Sequence, residues 1–299
     1  MPRKVRTAIF PVAGMGTRFL PATKSIPKEM LPLVDRPLIQ YAIDEARAAG
    51  IKEFIFVTAR GKSALEDYFD AAPLLERTLR QDGKDDLFQE VRNATMSSGA
   101  IAYIRQQEAL GLGHAVWCAR RLIADEPFAV ILPDDVISSD VPCLQQMAEA
   151  FAEQEEECSI VAAMEVAPEQ TRSYGVLDPE ADQGTMIRAR GLVEKPNPEQ
   201  APSNLAVIGR YILTPEVMRS LGQKKRGAGG EIQLTDAIAE QAEAGKPVYG
   251  FRFRGQRYDC GSKQGFLQAT VAFALARDDL APEFTDYLRG LTQVSMAAE

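Results

Sequence analysis

The first 140 residues alternate short β-rich runs with longer helical patterns, and this alternation limits the folds that the chain can adopt. Strands are predicted at positions 7–12, 54–58, 101–104 and 128–132, with helical patterns between them at 38–49, 63–94 and 113–123. Strands that alternate with helices predict a parallel sheet joined by right-handed crossovers, with helices on both faces. The predicted fold class is therefore α/β, with a Rossmann-like, doubly wound sheet.

The second half of the chain departs from this rhythm. Its predicted strands follow one another with fewer intervening helices, at positions 159–166, 175–177, 187–193, 206–213 and 248–254. This arrangement predicts a mixed sheet with an appended lobe, and not a second independent domain. We expect one domain over 1–299, with halves at approximately 4–140 and 141–280, followed by a C-terminal helix and tail at 281–299.

Charge and cysteine usage exclude several classes of function. The formal net charge of −8 argues against a general nucleic-acid binder, which usually carries a basic surface. No run approaches the roughly 18 apolar residues of a membrane span, and Pro11 interrupts the first apolar run, so we expect neither a membrane anchor nor a signal peptide. The four cysteines are far apart and form no C-x-x-C pair, which favours reduced thiols in a cytoplasmic protein.

A glycine-rich segment with the sequence AGMGTR, at 13–18, follows the first predicted strand. Ligands of open α/β sheets bind beyond the carboxyl ends of the strands, where this segment falls. Gly14 and Gly16 would let backbone N–H groups approach phosphate oxygens closely, and Thr17 adds a hydroxyl. Three cations lie within eleven positions of one another, namely Arg18, Lys24 and Lys28. A triphosphate beside a second phosphate ester needs such charge, because each ester carries roughly −1.5 to −2.

Two well-known phosphate motifs do not fit this segment. A dinucleotide-binding fingerprint would have glycine at position 19, where Phe19 stands, and a P-loop would contain G-K-[ST]. From the residues alone, two interpretations stay open: a phosphate-binding loop of another kind, or a glycine-rich turn with solvated charges.

The segments GMGTR at 14–18 and PATKSIPKEMLPL at 21–33 resemble the signature of the nucleoside-diphosphate-sugar pyrophosphorylases, a nucleotidyltransferase family. The resemblance extends from about Lys4 to Asp278. The later motifs GLGHA, LPDD, VEKP and GEIQLTD are similar to those of the bacterial UTP–glucose-1-phosphate uridylyltransferase branch. The resemblance implies a fold of the nucleotide-diphospho-sugar transferase type, with nucleotide binding in the first half and with sugar binding and oligomerisation in the second.

The same resemblance implies a set of site residues. Catalytic roles are implied for Arg18, Lys28, Asp134 and Lys195. Nucleotide contacts are implied for Ala13, Gly14, Gly16, Thr17, Gln106 and Gly111. Sugar contacts are implied for Gly175, Glu194, Lys195 and Asn204. Mg²⁺ is the implied cofactor, with the ligands Asp134 and Asp259.

Residue chemistry supports the metal and base assignments. Asp134 follows a predicted strand, and magnesium prefers one or two carboxylates together with phosphate oxygens and water. Whether Asp135 or Asp259 completes the metal site stays open. An amide both donates and accepts hydrogen bonds, so Gln106 can pair with the N3–H and O4 edge of uracil.

The sugar assignment needs a bend in the backbone. Glu194 and Lys195 are adjacent, and adjacent side chains of a strand point to opposite faces. Both can border one pocket if the backbone bends, and we expect the bend at Pro196.

The implied reaction joins UTP and glucose 1-phosphate to give UDP-glucose and pyrophosphate. The attacking phosphate oxygen is already an anion, so no general base is required; magnesium and the site cations would supply positioning and charge neutralisation. This fits a chain with one histidine, His114, which we expect to pack against a helix.

Two other functions stay open at this point: a sugar-1-phosphate nucleotidyltransferase that uses dTTP or CTP, and a catalytically silent domain that senses nucleotides. The family resemblance further implies a homodimer or homotetramer, with contacts through the helix near 233–242 and the C-terminal helices.

Overall fold

Strands and helices follow one another in the computed structural model, which describes residues 4–180 and 184–297. The strands are β1 (Thr7–Pro11), β2 (Pro32–Leu33), β3 (Arg36–Pro37), β4 (Glu53–Thr58), β5 (Ile101–Arg105), β6 (Phe128–Ile131), β7 (Asp135–Ser138), β8 (Ser159–Glu165), β9 (Gly175–Pro179), β10 (Met186–Glu194), β11 (Leu205–Leu213), β12 (Val248–Arg252) and β13 (Gln256–Asp259). The helices are α1 (Leu38–Ala48), α2 (Ser63–Phe69), α3 (Pro73–Gln81), α4 (Asp85–Ala94), α5 (Leu112–Cys118), α6 (Cys143–Ala152), α7 (Pro215–Leu221), α8 (Leu234–Glu243), α9 (Lys263–Leu275) and α10 (Ala281–Ala297). The last two residues of the predicted 281–299 tail lie outside the described residues.

A nine-stranded sheet runs through the molecule in the order β5-β4-β1-β6-β11-β8-β12-β10-β9. The first four strands are parallel, which confirms the doubly wound arrangement predicted for the first half. β11 then pairs with β6 and β8 in the antiparallel sense, and the rest of the sheet is mixed. Because β11 hydrogen-bonds to strands from both halves, the two halves share one sheet.

Hydrophobic layers cover both faces of this sheet. Successive side chains of β1 alternate between them: Phe10 belongs to the layer that includes α1 and α6, and Ile9 belongs to the layer that includes α5, α7 and α8. β11 is buried at all nine positions. A strand that is covered on both faces consists of a nearly continuous run of hydrophobic residues. Such runs are visible in the sequence, which explains why the positions of these strands were predicted well. Within the described ranges, no helix is long and apolar enough to cross a membrane.

The sequence did not predict the two-stranded sheet formed by β7 and β13. It pairs Asp135 with Asp259 and Val136 with Tyr258, residues more than a hundred positions apart in the chain. Both strands have four residues and mixed polarity, so neither carries a strong local pattern. The pairing brings the LPDD motif beside the Asp259 turn.

A buried ion pair joins the sheet to two helices. Arg210, in the middle of β11, donates from Nε and Nη2 to the Glu45 carboxylate of α1 over 2.9 and 2.8 Å. The same guanidinium donates to the carbonyl oxygens of Leu132 and Asp135 over 3.0 and 2.7 Å. Glu45 also accepts the backbone N–H of Leu144, at the start of α6, over 2.9 Å. These hydrogen bonds offset the cost of burying two charges and fix both ends of the turn that contains Asp134.

We expect Arg210→Met to lower the free energy of unfolding by about 3–5 kcal/mol, because it leaves the buried Glu45 carboxylate without a counter-ion. The control is Arg219→Met, which breaks exposed pairs with Glu216 and Asp125 and should cost no more than about 1 kcal/mol. Urea denaturation measures both. Equal losses of unfolding free energy in the two variants would show that the buried pair contributes no more to stability than an exposed pair.

Candidate active site

The glycine-rich loop lies at the carboxyl edge of β1 and wraps around Lys28. Gly16 adopts a left-handed backbone conformation, with φ of 67°, and its carbonyl accepts a 2.7 Å hydrogen bond from Thr23 Oγ1. A Cβ atom at Gly16 would lie 3.2 Å from Lys28 Cβ, so a larger residue would crowd this lysine. Thr17 and Arg18 are exposed beside it, so the predicted phosphate-binding groups line an open surface.

Lys28 forms an ion pair with Asp134. Its Nζ lies 2.5 Å from Asp134 Oδ2, and each side chain keeps about a quarter of its surface exposed. Burial opposes the charged form of both groups, yet their mutual attraction prevails, so the pKa of Asp134 is lowered and that of Lys28 is raised. Both groups are therefore charged at neutral pH. The lowered pKa of Asp134 stabilises the fold above about pH 4, and this contribution is lost on acidification through the folded-state pKa.

A second carboxylate converges on the same point. A Cβ atom built on Gly261 would lie 2.9 Å from Asp134 Oδ2 and 3.0 Å from Asp259 Oδ1, so both oxygens face this glycine. Arg18 Nη1 donates to the Gly261 carbonyl over 3.4 Å and closes the cluster. In the part of the chain that the structure describes, no group of three or more Asp, Glu, His or Cys side chains could hold a metal. Two carboxylates suit magnesium, which takes its remaining ligands from phosphates and water.

Asp135 faces away from this cluster. Its Oδ1 accepts a 2.6 Å hydrogen bond from Arg257 Nε, and its Oδ2 accepts a 3.1 Å hydrogen bond from the Gly209 N–H. Burial raises the pKa of Asp135, and the Arg257 guanidinium opposes that shift. Arg257 Nη1 also donates to Tyr174 Oη over 2.8 Å. Both carboxylate oxygens of Asp135 are thus engaged by protein groups, which makes it a structural residue.

Sequence reasoning missed a buried ion pair behind Lys28. Glu29 is fully buried and accepts a 2.8 Å hydrogen bond from Lys62 Nζ, which follows β4. Burial raises the pKa of Glu29 and lowers that of Lys62. The pair anchors the PKEML segment to the start of α2, which Lys62 directly precedes. No local pattern marks Lys62, because its partner lies 33 positions away.

The predicted base-binding residues meet at the end of β5. Gln106 Nε2 donates to the Gly111 carbonyl over 3.1 Å and lies 3.0 Å from His114 Nδ1. Gly111 has φ of 99°, and a Cβ atom there would lie 2.9 Å from the Ile232 carbonyl. The GLGHA loop therefore packs directly on the GEIQLTD segment, and only glycine fits at Gly111.

The predicted sugar-binding residues Gly175 and Glu194 are paired across β9 and β10. Lys195 has a left-handed φ of 49°, and its Nζ lies 3.3 Å from Glu194 Oε1. The backbone bend that we expected at Pro196 therefore lies at Lys195 itself, and it brings the two side chains together. A non-glycine residue in this conformation is strained, a feature that concentrates at functional sites.

Two further residues frame this region. Thr235, in the GEIQLTD motif, packs on Gly175, where a Cβ atom would lie 2.8 Å from Thr235 Oγ1. The sequence alone does not predict a role for Thr235. Asn204 is exposed and precedes β11; its carbonyl accepts the Val166 N–H, and the neighbouring Ser203 Oγ donates to Leu177. A sugar contact of the Asn204 side chain stays a prediction.

We expect Lys28→Met to raise the pKa of Asp134 above its ordinary value of about 3.9, because burial remains after the cation is lost. A pH titration followed by carboxyl ¹³C NMR measures this pKa. Lys52→Met, at an exposed position, is the control and should leave it unchanged. A value that stays below the ordinary range in Lys28→Met would assign the shift to another group.

Comparisons with known proteins identify the family of this chain. The nucleotidyl transferase family model matches residues 8–274. The UTP–glucose-1-phosphate uridylyltransferase of Bacillus subtilis (strain 168) is 48% identical over 289 residues, which cover 97% of this chain and 98% of that protein. A UDP-glucose pyrophosphorylase solved in complex with UDP-glucose is 45% identical, with a TM-score of 0.83 over 91% of this chain and 100% of that chain. The UTP-bound UGPase from Acinetobacter baumannii is 39% identical, with a TM-score of 0.86 over 95% and 98% of the two chains. The family generally uses a divalent metal. This chain belongs to the nucleotidyl transferase family.

Proposed function

We propose that this protein transfers the uridylyl group of UTP to glucose 1-phosphate, forming UDP-glucose and releasing pyrophosphate. The observation that carries the proposal is the convergence of Asp134 and Asp259 beside Lys28 and Arg18, at the carboxyl edge of the parallel strands. Two carboxylates and two cations at this edge suit a metal–triphosphate complex. The full-length similarity to UTP–glucose-1-phosphate uridylyltransferases supports the choice of substrates.

The reaction is an in-line displacement at phosphorus. An anionic phosphate oxygen of glucose 1-phosphate attacks the α-phosphorus of UTP, the bond between this phosphorus and the bridging oxygen breaks, and pyrophosphate leaves with the electron pair. No proton has to be removed from the nucleophile. His114 contacts Gln106 and Trp117, and this placement supports a reaction without a histidine base.

The finer part of the proposal concerns the cofactor and the two halves of the chain. Asp134 and Asp259 would hold Mg²⁺, which would neutralise charge on the triphosphate. Arg18 and Lys28 add positive charge on the nucleotide side, in residues 4–140. Lys195 lies in the second half of the chain, residues 141–280. Its side chain is half exposed and forms an ion pair with Glu194, so it is suited to bind the phosphate group of the hexose 1-phosphate.

A substrate panel tests the proposal. The protein is incubated with glucose 1-phosphate, magnesium and UTP, dTTP or CTP in turn, and release of pyrophosphate is measured. We expect the highest kcat/KM with UTP. Higher kcat/KM with dTTP or CTP would favour a sister enzyme, and no release with any of them would favour a nucleotide-sensing domain.

We also propose a homodimer or homotetramer in the cytoplasm. Large apolar side chains on α9 and α10 are exposed, among them Leu267, Leu275, Tyr287 and Leu291. The predicted contact helix α8 instead buries Leu234, Ala237 and Ile238 within its own chain, so we assign the contact to the C-terminal helices. Sedimentation velocity tests the proposed oligomeric state, and a monomer at micromolar concentration would contradict it.

We expect Asp134→Asn to lower kcat at least about a hundredfold, because it removes the charge that we assign to the metal while keeping the side chain's shape. Pyrophosphate release in saturating magnesium measures kcat, and thermal unfolding checks that the fold persists. Asp140→Asn, at an exposed position outside the cluster, is the control. Near-normal turnover of Asp134→Asn would remove this residue from the metal site.

Lys195→Ala should raise the KM for glucose 1-phosphate about ten- to hundredfold and leave the KM for UTP nearly unchanged, because a charge-assisted hydrogen bond to the sugar phosphate is lost. Steady-state kinetics with each substrate varied in turn separates the two constants. Lys246→Ala, another exposed lysine, serves as the control. A rise confined to UTP would place Lys195 on the nucleotide side.

A further inference from the structure

The orientation of the Gln106 amide is fixed by the protein. Its Nε2 lies 3.1 Å from the Gly111 carbonyl oxygen. A carbonyl oxygen can only accept, so the amide nitrogen, and not the amide oxygen, must face Gly111. The second N–H of the same nitrogen points at His114 Nδ1, 3.0 Å away.

This contact also fixes the state of His114. A ring nitrogen that faces an N–H donor must present its lone pair, so Nδ1 accepts and the ring proton lies on Nε2. The ring is buried, with 8% exposure, and stacks on Trp117. Its other polar neighbours are the Glu108 backbone and Cys118, whose Sγ lies 4.0 Å from Nε2.

Charged groups from three segments act on the ring. Burial lowers the pKa of His114 most, and Lys224 and Arg120 lower it further, whereas the backbone and the carboxylate of Glu108 raise it. Lys224 and Arg120 both lie over the Trp117 ring, at 4.4 and 3.5 Å from its centroid. His114 is therefore neutral at neutral pH, as its contact with Gln106 requires.

Both amide N–H groups of Gln106 are thus used inside the protein. The amide oxygen Oε1 is the atom left for a base, and an oxygen can only accept. Uracil presents a donor, its N3–H, on its pairing edge, whereas cytosine presents a lone pair at N3. An acceptor held in place favours the first base and repels the second, because the wrong base leaves two acceptors facing each other.

We propose that His114 is a positioning residue for base specificity: by accepting an N–H of Gln106, it holds the amide with its oxygen towards the base and so selects uracil over cytosine. This inference rests on the proposed use of UTP. It assigns no proton transfer to His114, and it differs from the expectation that the Gln106 amide serves uracil as both donor and acceptor.

A dependence on pH follows from this arrangement. Protonation of His114 places a hydrogen on Nδ1, so two donors face each other and the amide loses one of its two anchors. Selectivity for UTP over CTP is then complete above the folded-state pKa of His114 and decreases as the pH falls through it. The phosphate groups are common to both nucleotides, so their titration cancels in the ratio of the two kcat/KM values.

The test compares two variants of the full-length protein. His114→Leu removes the acceptor but keeps the bulk, and should lower the kcat/KM ratio of UTP to CTP about tenfold, the effect of one hydrogen bond. His114→Asn places Oδ1 near the position of Nδ1 and should retain the ratio. The internal control is dTTP, because thymine has the same N3–H; the ratio of UTP to dTTP should not change in either variant.

The pH dependence of the same ratio shows whether His114 positions the Gln106 amide or only supports the local structure. Between about pH 8 and about pH 5.5, on either side of the ordinary histidine pKa, the wild-type ratio of UTP to CTP should fall, whereas that of His114→Asn should stay constant. An unchanged ratio in His114→Leu, an equal loss in both variants, or a wild-type pH response in His114→Asn would each overturn the proposal.

Binding calorimetry with UTP and CTP, without the sugar phosphate, gives the same ratio independently of turnover. If the wild-type protein binds UTP in preference to CTP but releases no pyrophosphate, the proposed function fails and the role of His114 is still decided by the binding ratios of the two variants. If wild-type binding shows no preference between the two nucleotides, the proposal for His114 fails.

Discussion

The buried ion pair between Arg210 and Glu45 is the contact on which the position of the turn that carries Asp134 depends. Burying two charges is costly, and the cost is offset here because Arg210 also donates to the carbonyls of Leu132 and Asp135. The pair thereby joins α1 and β11 to the turn that carries Asp134. The backbone on both sides of the carboxylate that we assign to the metal is thus held by the core of the protein, as precise positioning of charge requires.

A second chain of contacts connects the two sides of the site. Asp135 binds Arg257, and Arg257 binds Tyr174, which directly precedes the proposed sugar-binding Gly175. Arg257 lies on β13, the strand that ends at Asp259. The two adjacent aspartates therefore differ in role: Asp134 faces the proposed metal, and Asp135 holds Arg257 and through it Tyr174. Because the contacts of Arg257 connect the proposed metal-binding and sugar-binding residues, the loss of Arg257 would displace both groups of residues together.

The features that the sequence predicted well are those that depend on local pattern. β11 and the parallel strands are continuous hydrophobic runs because helices cover both faces of the sheet, and the loop after β1 stands out through its glycines and cations. The pairing of β7 with β13 was not predicted, since it joins distant segments of mixed polarity. Lys62 was missed for the same reason, because only the fold brings it to Glu29.

The sequence by itself determined the fold class, the family and the kinds of chemical group available at the site, because each of these follows from residue type and spacing. The tertiary structure decided which groups meet: Asp259, and not Asp135, lies opposite Asp134. It also placed the backbone bend at Lys195 and directed both amide hydrogens of Gln106 into the protein. These outcomes depend on strand register and on contacts between distant segments, which packing fixes and which no local pattern of residues encodes.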